Sequence, residues 1–248
     1  MLRYSAAVTS EAHIAVMQHV AHVLRSGAPL HEYQLESLFR HWTHYFGGCR
    51  HLSYTCICAA GHSGSVLHYG HAGEPNDKRV TADMVCLFDM GAEFLCYGSD
   101  ITTSFPAGGV FSERQLVVYR AVLDATTAVE DAMRPGTPWR DMQTLAYERV
   151  LAGLKAGGLL VGEVADMMAV NLGATFMPHG LGHFLGIDTH DVGGYPAGTQ
   201  RPAEAGYASL RTTRRLAAGN YITVEPGCEY PTPQAEPPHT HTHNALPH

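Results

Sequence analysis

The sequence predicts an α+β domain in which helices cover one antiparallel sheet. Apolar residues recur at helical spacing in the first part of the chain, switch to period two between His51 and Ile101, and return to helical spacing after Ser112. The 248 residues are enough to bury a sizeable core, and 45% hydrophobic against 16% charged residues describes a packed chain, not a disordered one.

Taken in order, Ser10 is placed to cap a helix running to about Arg25, with Ile14, Met17, Ala21 and Leu24 on one stripe and Gly27 as its stop. Leu35, Leu38, Phe39 and Trp42 mark a second amphipathic helix, closed by Gly47 and Gly48. His51 to Ala60 then reads as a strand with Tyr54, Cys56 and Cys58 on one face. Val66 to Tyr69 reads as a short second strand, followed by the turn Glu74-Pro-Asn-Asp-Lys78. Met84 to Met90 and Glu93 to Ile101 form a hairpin around Gly91. Ser112 and Gln115 make a capping box for a helix to about Met133, stopped at Pro135-Gly136. Thr137-Pro138 starts the next helix, carrying Trp139, Met142, Leu145 and Val150 inward. A further helix spans roughly Val161 to Leu172, and after an arginine-bearing loop Tyr221 to Glu225 forms the last strand.

Several function classes fall away on composition. The net charge of −7 and the lack of any Lys/Arg run speak against a nucleic-acid partner. No apolar run approaches the roughly 18 residues of a membrane span, so no membrane partner is expected. The six cysteines stand singly or as C-x-C inside apolar runs, and Met1-Leu-Arg-Tyr-Ser leads straight into a helical pattern. Free buried thiols in the reducing cytoplasm are expected.

The chemistry concentrates in Met177 to Gly194, where His179, His183 and His190, Asp188 and Asp191, and five glycines share eighteen residues. Glycine weakens a helix or strand interior and is used where backbone passes close to something. Imidazole is the commonest nitrogen ligand for transition metals. Alone, such a stretch is more often a surface loop with solvated histidines, so its neighbours decide. Asp89, Asp100 and Glu225 each follow an apolar run, and a carboxylate delivered by a buried element must be paired, hydrogen-bonded or on a metal. Each by itself is more often a turn residue. Together with a histidine they make an oxygen-rich donor set suited to Mn²⁺, Co²⁺, Zn²⁺ or Fe²⁺.

Phe88-Asp-Met-Gly91, Ser99-Asp-Ile-Thr102, His179-Gly-Leu-Gly-His183 and Thr223-Val-Glu-Pro-Gly227 resemble, in order, four metal-site motifs of the pita-bread metallopeptidases. Leu67 to Gly73, Met177 to Asp188 and Ser209-Leu-Arg-Thr212 resemble the prolidases, the Xaa-Pro dipeptidases of that family. The resemblance runs from about Tyr4 to Gly227. It implies a pita-bread fold and a homodimer that hydrolyses Xaa-Pro dipeptides with two Mn²⁺ ions. It further implies that Asp89, Asp100, His183 and Glu225 are metal ligands, with Glu225 also moving the proton of the attacking water. His68 and His190 match substrate-contacting histidines, and Arg211 matches the group that grips the free carboxylate. His179 matches a supporting residue behind the ligands. Aminopeptidase P and methionine aminopeptidase are disfavoured by Arg211 and by Leu67 to Gly73.

Two departures shape the expectation for this chain. It begins at the catalytic domain, and no strand of the form apolar-Arg-Glu-Asp/Glu, which carries the family's fifth ligand, follows Gly227. The expected organisation is thus an incomplete catalytic domain over 1–227 and a divergent Pro/His-rich, disordered tail over 228–248. Glu229, Glu236, His239, His241 and His243 are candidate substitute ligands in that tail, where solvation is the favoured state. Activity is expected to be impaired; a catalytically silent binding module is the alternative.

Overall fold

A computed structural model describes residues 1–70 and 76–229. Helix α1 (Leu2–Ser26) and helix α2 (Glu32–Tyr45) come first. Strand β1 (His51–Leu52) and strand β2 (Ile57–Ala60) follow, then a 3₁₀ turn at Gly61–Ser65. Strands β3 (Val85–Met90), β4 (Ala92–Glu93) and β5 (Ile101–Pro106) complete the extended segment. Helices α3 (Glu113–Ala132), α4 (Trp139–Ala156), α5 (Val164–Ala169) and α6 (Gly173–Phe176) close the order. The predicted α+β class holds: helices flank an antiparallel sheet ordered β2-β3-β5, with β1 and β4 as a separate two-stranded ribbon.

Helix α1 starts well before Ser10, whose hydroxyl bonds back to the Ala6 carbonyl at 2.9 Å instead of capping. Its hidden face is also rotated from the predicted stripe. Ser5, Val8, Thr9, Ala12, His13, Val16 and Val20 are buried, while Ile14 is half exposed. Polar groups take this face because β4, β5 and the segment between them offer them partners. Ser5 Oγ donates to the Gly98 carbonyl (2.9 Å), and the Ser99 hydroxyl donates to the Ala92 carbonyl (2.7 Å). The Thr9 hydroxyl, 2.7 Å from that of Ser99, then supplies the proton between them. Ser53 Oγ completes the seam by accepting from the Ser99 amide (2.9 Å). The predicted stop is as observed: Gly27, at φ 77°, takes the left-handed cap conformation.

His13 is the second product of that rotated face. It is 2% exposed, with Nδ1 2.9 Å from Thr103 Oγ1 and Nε2 3.1 Å from the Met90 carbonyl. A carbonyl only accepts, so Nε2 carries the proton. Burial pushes its pKa down from 6.5 to about 4. The unfolded chain therefore binds one more proton than the folded one between those values. Stability is full above pH 6.5 and falls as pH drops toward 4, by about 3 kcal/mol at 1.36 kcal/mol per unit. Denaturant titrations at pH 7.5 and 4.5 should show this loss in the parent chain and a clearly smaller one in His13→Gln; equal losses would place the acid sensitivity elsewhere.

The core between α1, α2 and the sheet is built from Val16, Val20, Leu35, Phe39, Cys58, Phe88 and Met90. A second core gathers Trp139, Tyr147, Met177, Leu181, Tyr207 and Leu210. Leu38 and Trp42, predicted to be core, pack at the edge of the first. Ser112 and Gln115 form the predicted capping box. The following helix is capped by Pro138, one residue later than predicted.

Five segments differ from expectation. The strand over His51 to Ala60 is broken into β1, paired with β4, and β2, paired with β3. Val66 to Tyr69 is turn, not strand, because the outer edge of β2 is occupied by side chains. The return partner of β3 is β5, from Met90↔Ile101 to Val85↔Pro106, so Asp100 lies just before a strand. The helix over Val161 to Leu172 shortens to α5, with Asn171 at φ 55° beyond it. Tyr221 to Glu225 is not a regular strand. It runs beside 181–185 through Leu185 N–H to Tyr221 O (3.2 Å), Thr223 N–H to His183 O (2.9 Å) and Glu225 N–H to Leu181 O (2.7 Å). At the predicted boundary, Glu229 still bonds the Phe176 carbonyl (2.7 Å) and Cys228 packs against the α3–α4 core. The remainder of the tail, with Glu236, His239, His241 and His243, lies outside the described residues, as do Glu74 and Pro75 of the predicted turn. No helix among the described residues is long and apolar enough to cross a membrane.

Candidate metal centre

The centre forms where the ends of β3 and β5 meet the paired segments 181–185 and 221–225. Asp89 sits in β3 opposite Thr102, and Asp100 precedes β5. Close backbone approach lets these segments meet. A Cβ at Gly91 would stand 1.8 Å from the Ser99 carbonyl oxygen, and one at Gly182 would stand 2.1 Å from that of Thr223. Only glycine fits at either place.

Asp100, His183 and Glu225 each offer a ligating atom within 4.8 Å of the others. His183 is 4% exposed, and its Nε2 lies 3.2 Å from Asp100 Oδ2 and 3.1 Å from Glu225 Oε1. Its Nδ1 is 2.9 Å from the Phe184 carbonyl, which can only accept, so Nδ1 carries a proton and Nε2 is the atom presented to the carboxylates. Burial alone would push this imidazole down. The Asp100 and Glu225 carboxylates overcome that and raise its pKa to about 10. A proton on Nε2 thus supplies the positive charge that the two carboxylates require.

Asp89 lies outside that triad but is joined to it by Tyr54. The Tyr54 hydroxyl hydrogen-bonds Asp89 Oδ1, and Asp100 Oδ1 at 2.9 Å. Burial first, then the Asp100 charge, raises the Asp89 pKa to about 7. Burial and the same two carboxylates push the Tyr54 phenol well above its ordinary range.

Of the predicted substrate residues, His190 packs edge-on to His183 with ring centroids 4.4 Å apart. Partial burial, then the His183 and Arg211 charges, hold its pKa below the ordinary histidine value. Arg211 is exposed, and its backbone carbonyl would stand 2.0 Å from a Cβ on Gly194. His68 is exposed at φ 59° in the turn before Gly70. His179 has Nδ1 2.9 Å from the Gly180 carbonyl and Nε2 2.6 Å from where a Gly227 Cβ would be.

Three positioning side chains went unnoticed in the sequence. Tyr54 was placed only as one member of a strand face. Gln143 of α4 holds both sides of the histidine segment, accepting from Leu181 N–H (2.6 Å) and donating to the His179 carbonyl (3.1 Å). Thr223 Oγ1 accepts from the His183 amide (2.9 Å). A Gln inside a helical stripe gives no warning of this; only a fully buried Gln in the fold does.

The donor set fits a divalent cation. Two carboxylates and an imidazole suit Mn²⁺, Zn²⁺ or Fe²⁺, and the buried Glu225 Oε1 pairs with His183 Nε2 at 3.1 Å without a well-directed hydrogen bond. Such an atom is satisfied by a cation or left at a cost.

Comparison with known proteins agrees with this geometry. The model of metallopeptidase family M24 matches residues 1–239. The Xaa-Pro dipeptidase of Homo sapiens is 53% identical over 227 residues, which is 92% of this chain and 45% of the relative. That of Mus musculus is 52% identical over the same shares. The chain thus spans about half the length of the curated relatives it matches. The aminopeptidase PepP of Pseudomonas aeruginosa superposes with a TM-score of 0.79 at 36% identity, covering 94% of this chain and 48% of that one. A zinc-substituted aminopeptidase P of E. coli in complex with product does so at 0.79 and 32%, covering 96% and 48%. The fold is the pita-bread fold of these enzymes, and the chain belongs to metallopeptidase family M24.

Proposed function

We propose that this chain carries the catalytic machinery of a metal-dependent Xaa-Pro dipeptidase. The convergence of Asp100, His183 and Glu225, with Asp89 held alongside through Tyr54, carries this reading, and the identity with mammalian Xaa-Pro dipeptidases supports it. Asp89, Asp100, His183 and Glu225 would hold manganese, up to two ions per site. A bound ion supplies Lewis acidity and a water of lowered pKa. Glu225, whose buried Oε1 lies 3.1 Å from His183 Nε2, accepts the proton of the attacking water. His190 and His68 steady the peptide carbonyl. The Arg211 guanidinium takes the free carboxylate of the terminal proline, a planar charge that suits its fork of donors. That carboxylate favours dipeptides over the longer substrates of an aminopeptidase. The substrate is thus an Xaa-Pro dipeptide of proline metabolism, the setting cytoplasmic and the assembly a homodimer, with a catalytic unit that reaches past the predicted boundary at 227 to Cys228 and Glu229.

The donors gathered among the described residues suffice for one ion held by three ligands. A second ion has Asp89 and shared carboxylates, and Asp89 stands apart from the triad, joined to it through the Tyr54 hydroxyl. We therefore propose one tight and one weak ion, and turnover below that of the mammalian relatives. Metal content per purified chain, with hydrolysis of glycyl-proline and glycyl-prolinamide after Mn²⁺ loading, tests this. The expected result is one retained ion per chain and slow hydrolysis of the free acid only. No retained ion and no hydrolysis of either would sink the enzymatic reading and leave a binding module.

A further inference from the structure

Among the described residues, the outer edge of β2 has no strand beside it. Its edge groups alternate at Cys56, Cys58 and Ala60, as a ladder requires, and side chains stand where a strand would. Asn76 accepts from the Cys58 amide (3.1 Å) and donates to the Cys56 carbonyl (2.9 Å). Glu32 Oε1 accepts from the Ala60 amide (2.8 Å). The other oxygen of the same carboxylate accepts from the Tyr69 hydroxyl (2.8 Å) and the Lys78 amide (3.1 Å).

Glu32 is fully buried at the start of α2, and its own amide returns a bond to the Lys78 carbonyl (3.0 Å). One carboxylate thus grips the strand edge with one oxygen and, with the other, two points nine residues apart, Tyr69 next to His68 and Lys78. Close packing narrows the freedom further. Gly70, at φ 102°, would place a Cβ 2.6 Å from the Cys56 carbonyl, and Asn76 is 2% exposed at φ 53°. Fixing Tyr69 fixes the direction in which its neighbour His68 leaves the backbone.

We propose that Glu32 is a positioning residue for substrate binding, acting through the Tyr69–Lys78 anchorage on His68. This rests on the substrate role proposed above for His68. Glu32 meets three donors and no acceptor. A glutamine offers one accepting oxygen and turns its amide hydrogens toward a donor on the other side, so Glu32→Gln keeps the shape and breaks the grip.

The experiment is calorimetric binding of glycyl-proline to the metal-free chain, which needs no turnover, together with amide exchange at Ala60 and Lys78. Glu32→Gln is expected to weaken binding about tenfold, the size of one lost hydrogen bond to a charged group, and to speed exchange at both amides. In a His68→Ala background the same substitution should add less than about twofold, because effects that pass through one residue do not add. Tyr69→Phe, which removes a single bond, should shift binding in the same direction by less and serves if Glu32→Gln does not fold. Equal losses in the two backgrounds, or unchanged binding in Glu32→Gln beside a clear loss in His68→Ala, would overturn the proposal while sparing the role of His68. Unchanged binding in His68→Ala, or none in the parent, would remove that role and the proposal with it.

Discussion

Glutamine in place of Glu225 is expected to slow glycyl-proline hydrolysis by about 10²–10⁴-fold, the usual worth of a positioned general base. The amide keeps the size of the carboxylate and the bond from the Glu225 amide to Leu181 O (2.7 Å), so the paired segments 181–185 and 221–225 should hold. What is lost is a group that can take a proton, and one of the two charges beside His183. The readouts are kcat on the Mn²⁺-loaded chain and the melting temperature of the metal-free one. The first should collapse and the second should move by no more than a few degrees. A variant retaining a tenth or more of the parent turnover would show that Glu225 serves only as a ligand.

The second large effect is on stability. Tyr54→Phe removes the single hydroxyl shared by two buried carboxylates, Asp89 and Asp100. Hydrogen bonds to charged groups contribute about 1.5–3 kcal/mol each. A loss of about 3 kcal/mol, or roughly 6–12 °C in a protein of this size, is expected for the metal-free chain. The sign with pH follows from Asp89, whose folded pKa is raised to about 7. A carboxyl with a raised folded pKa costs stability that grows as pH rises from its unfolded value to about 7 and then levels off, and losing the Tyr54 bond, which lowers that value, moves the levelling point higher. Tyr54→Phe should therefore be hurt more at pH 8 than at pH 6, and saturating Mn²⁺ should narrow its gap to the parent by supplying positive charge between the carboxylates. Melting curves at the two pH values, with and without Mn²⁺, decide it. A gap that is independent of both would mean that the ring, not the hydroxyl, is what Tyr54 contributes.

Local signals were legible wherever one residue type answers one backbone demand. Gly27 had to end α1 because its φ is positive, and Ser112 with Gln115 had to start α3 because the two side chains satisfy orphan amides. Asp100, His183 and Glu225, which the fold brings together, stood out because each lies in a recognisable motif, the two carboxylates after apolar runs and His183 in a Gly/His-rich stretch. What misled was polarity on a buried face. Serine, threonine and histidine fill the face of α1 that meets the strands, so the apolar stripe through Ile14 pointed the wrong way. Val66 to Tyr69 has strand composition, but Glu32 and Asn76, remote in sequence, occupy the edge it would have joined. Tyr54 and Gln143 were invisible for the same reason: their importance lies in partners 35 or more residues away.

The seam of hydroxyls under α1 also couples two events that look separate. Ser99, which receives Thr9, is the residue before Asp100, and Ser53, which anchors the Ser99 amide, is the residue before Tyr54. Local opening of the first turns of α1 therefore releases the backbone on which Asp100 and Tyr54 are mounted. Any cation that restrains Asp100 must resist that opening by the same free energy, since linkage between two sites is reciprocal. The N-terminal helix, which supplies none of the candidate ligands, would become harder to unravel with a cation in the centre, and fraying of the helix would weaken the hold on that cation by the same factor.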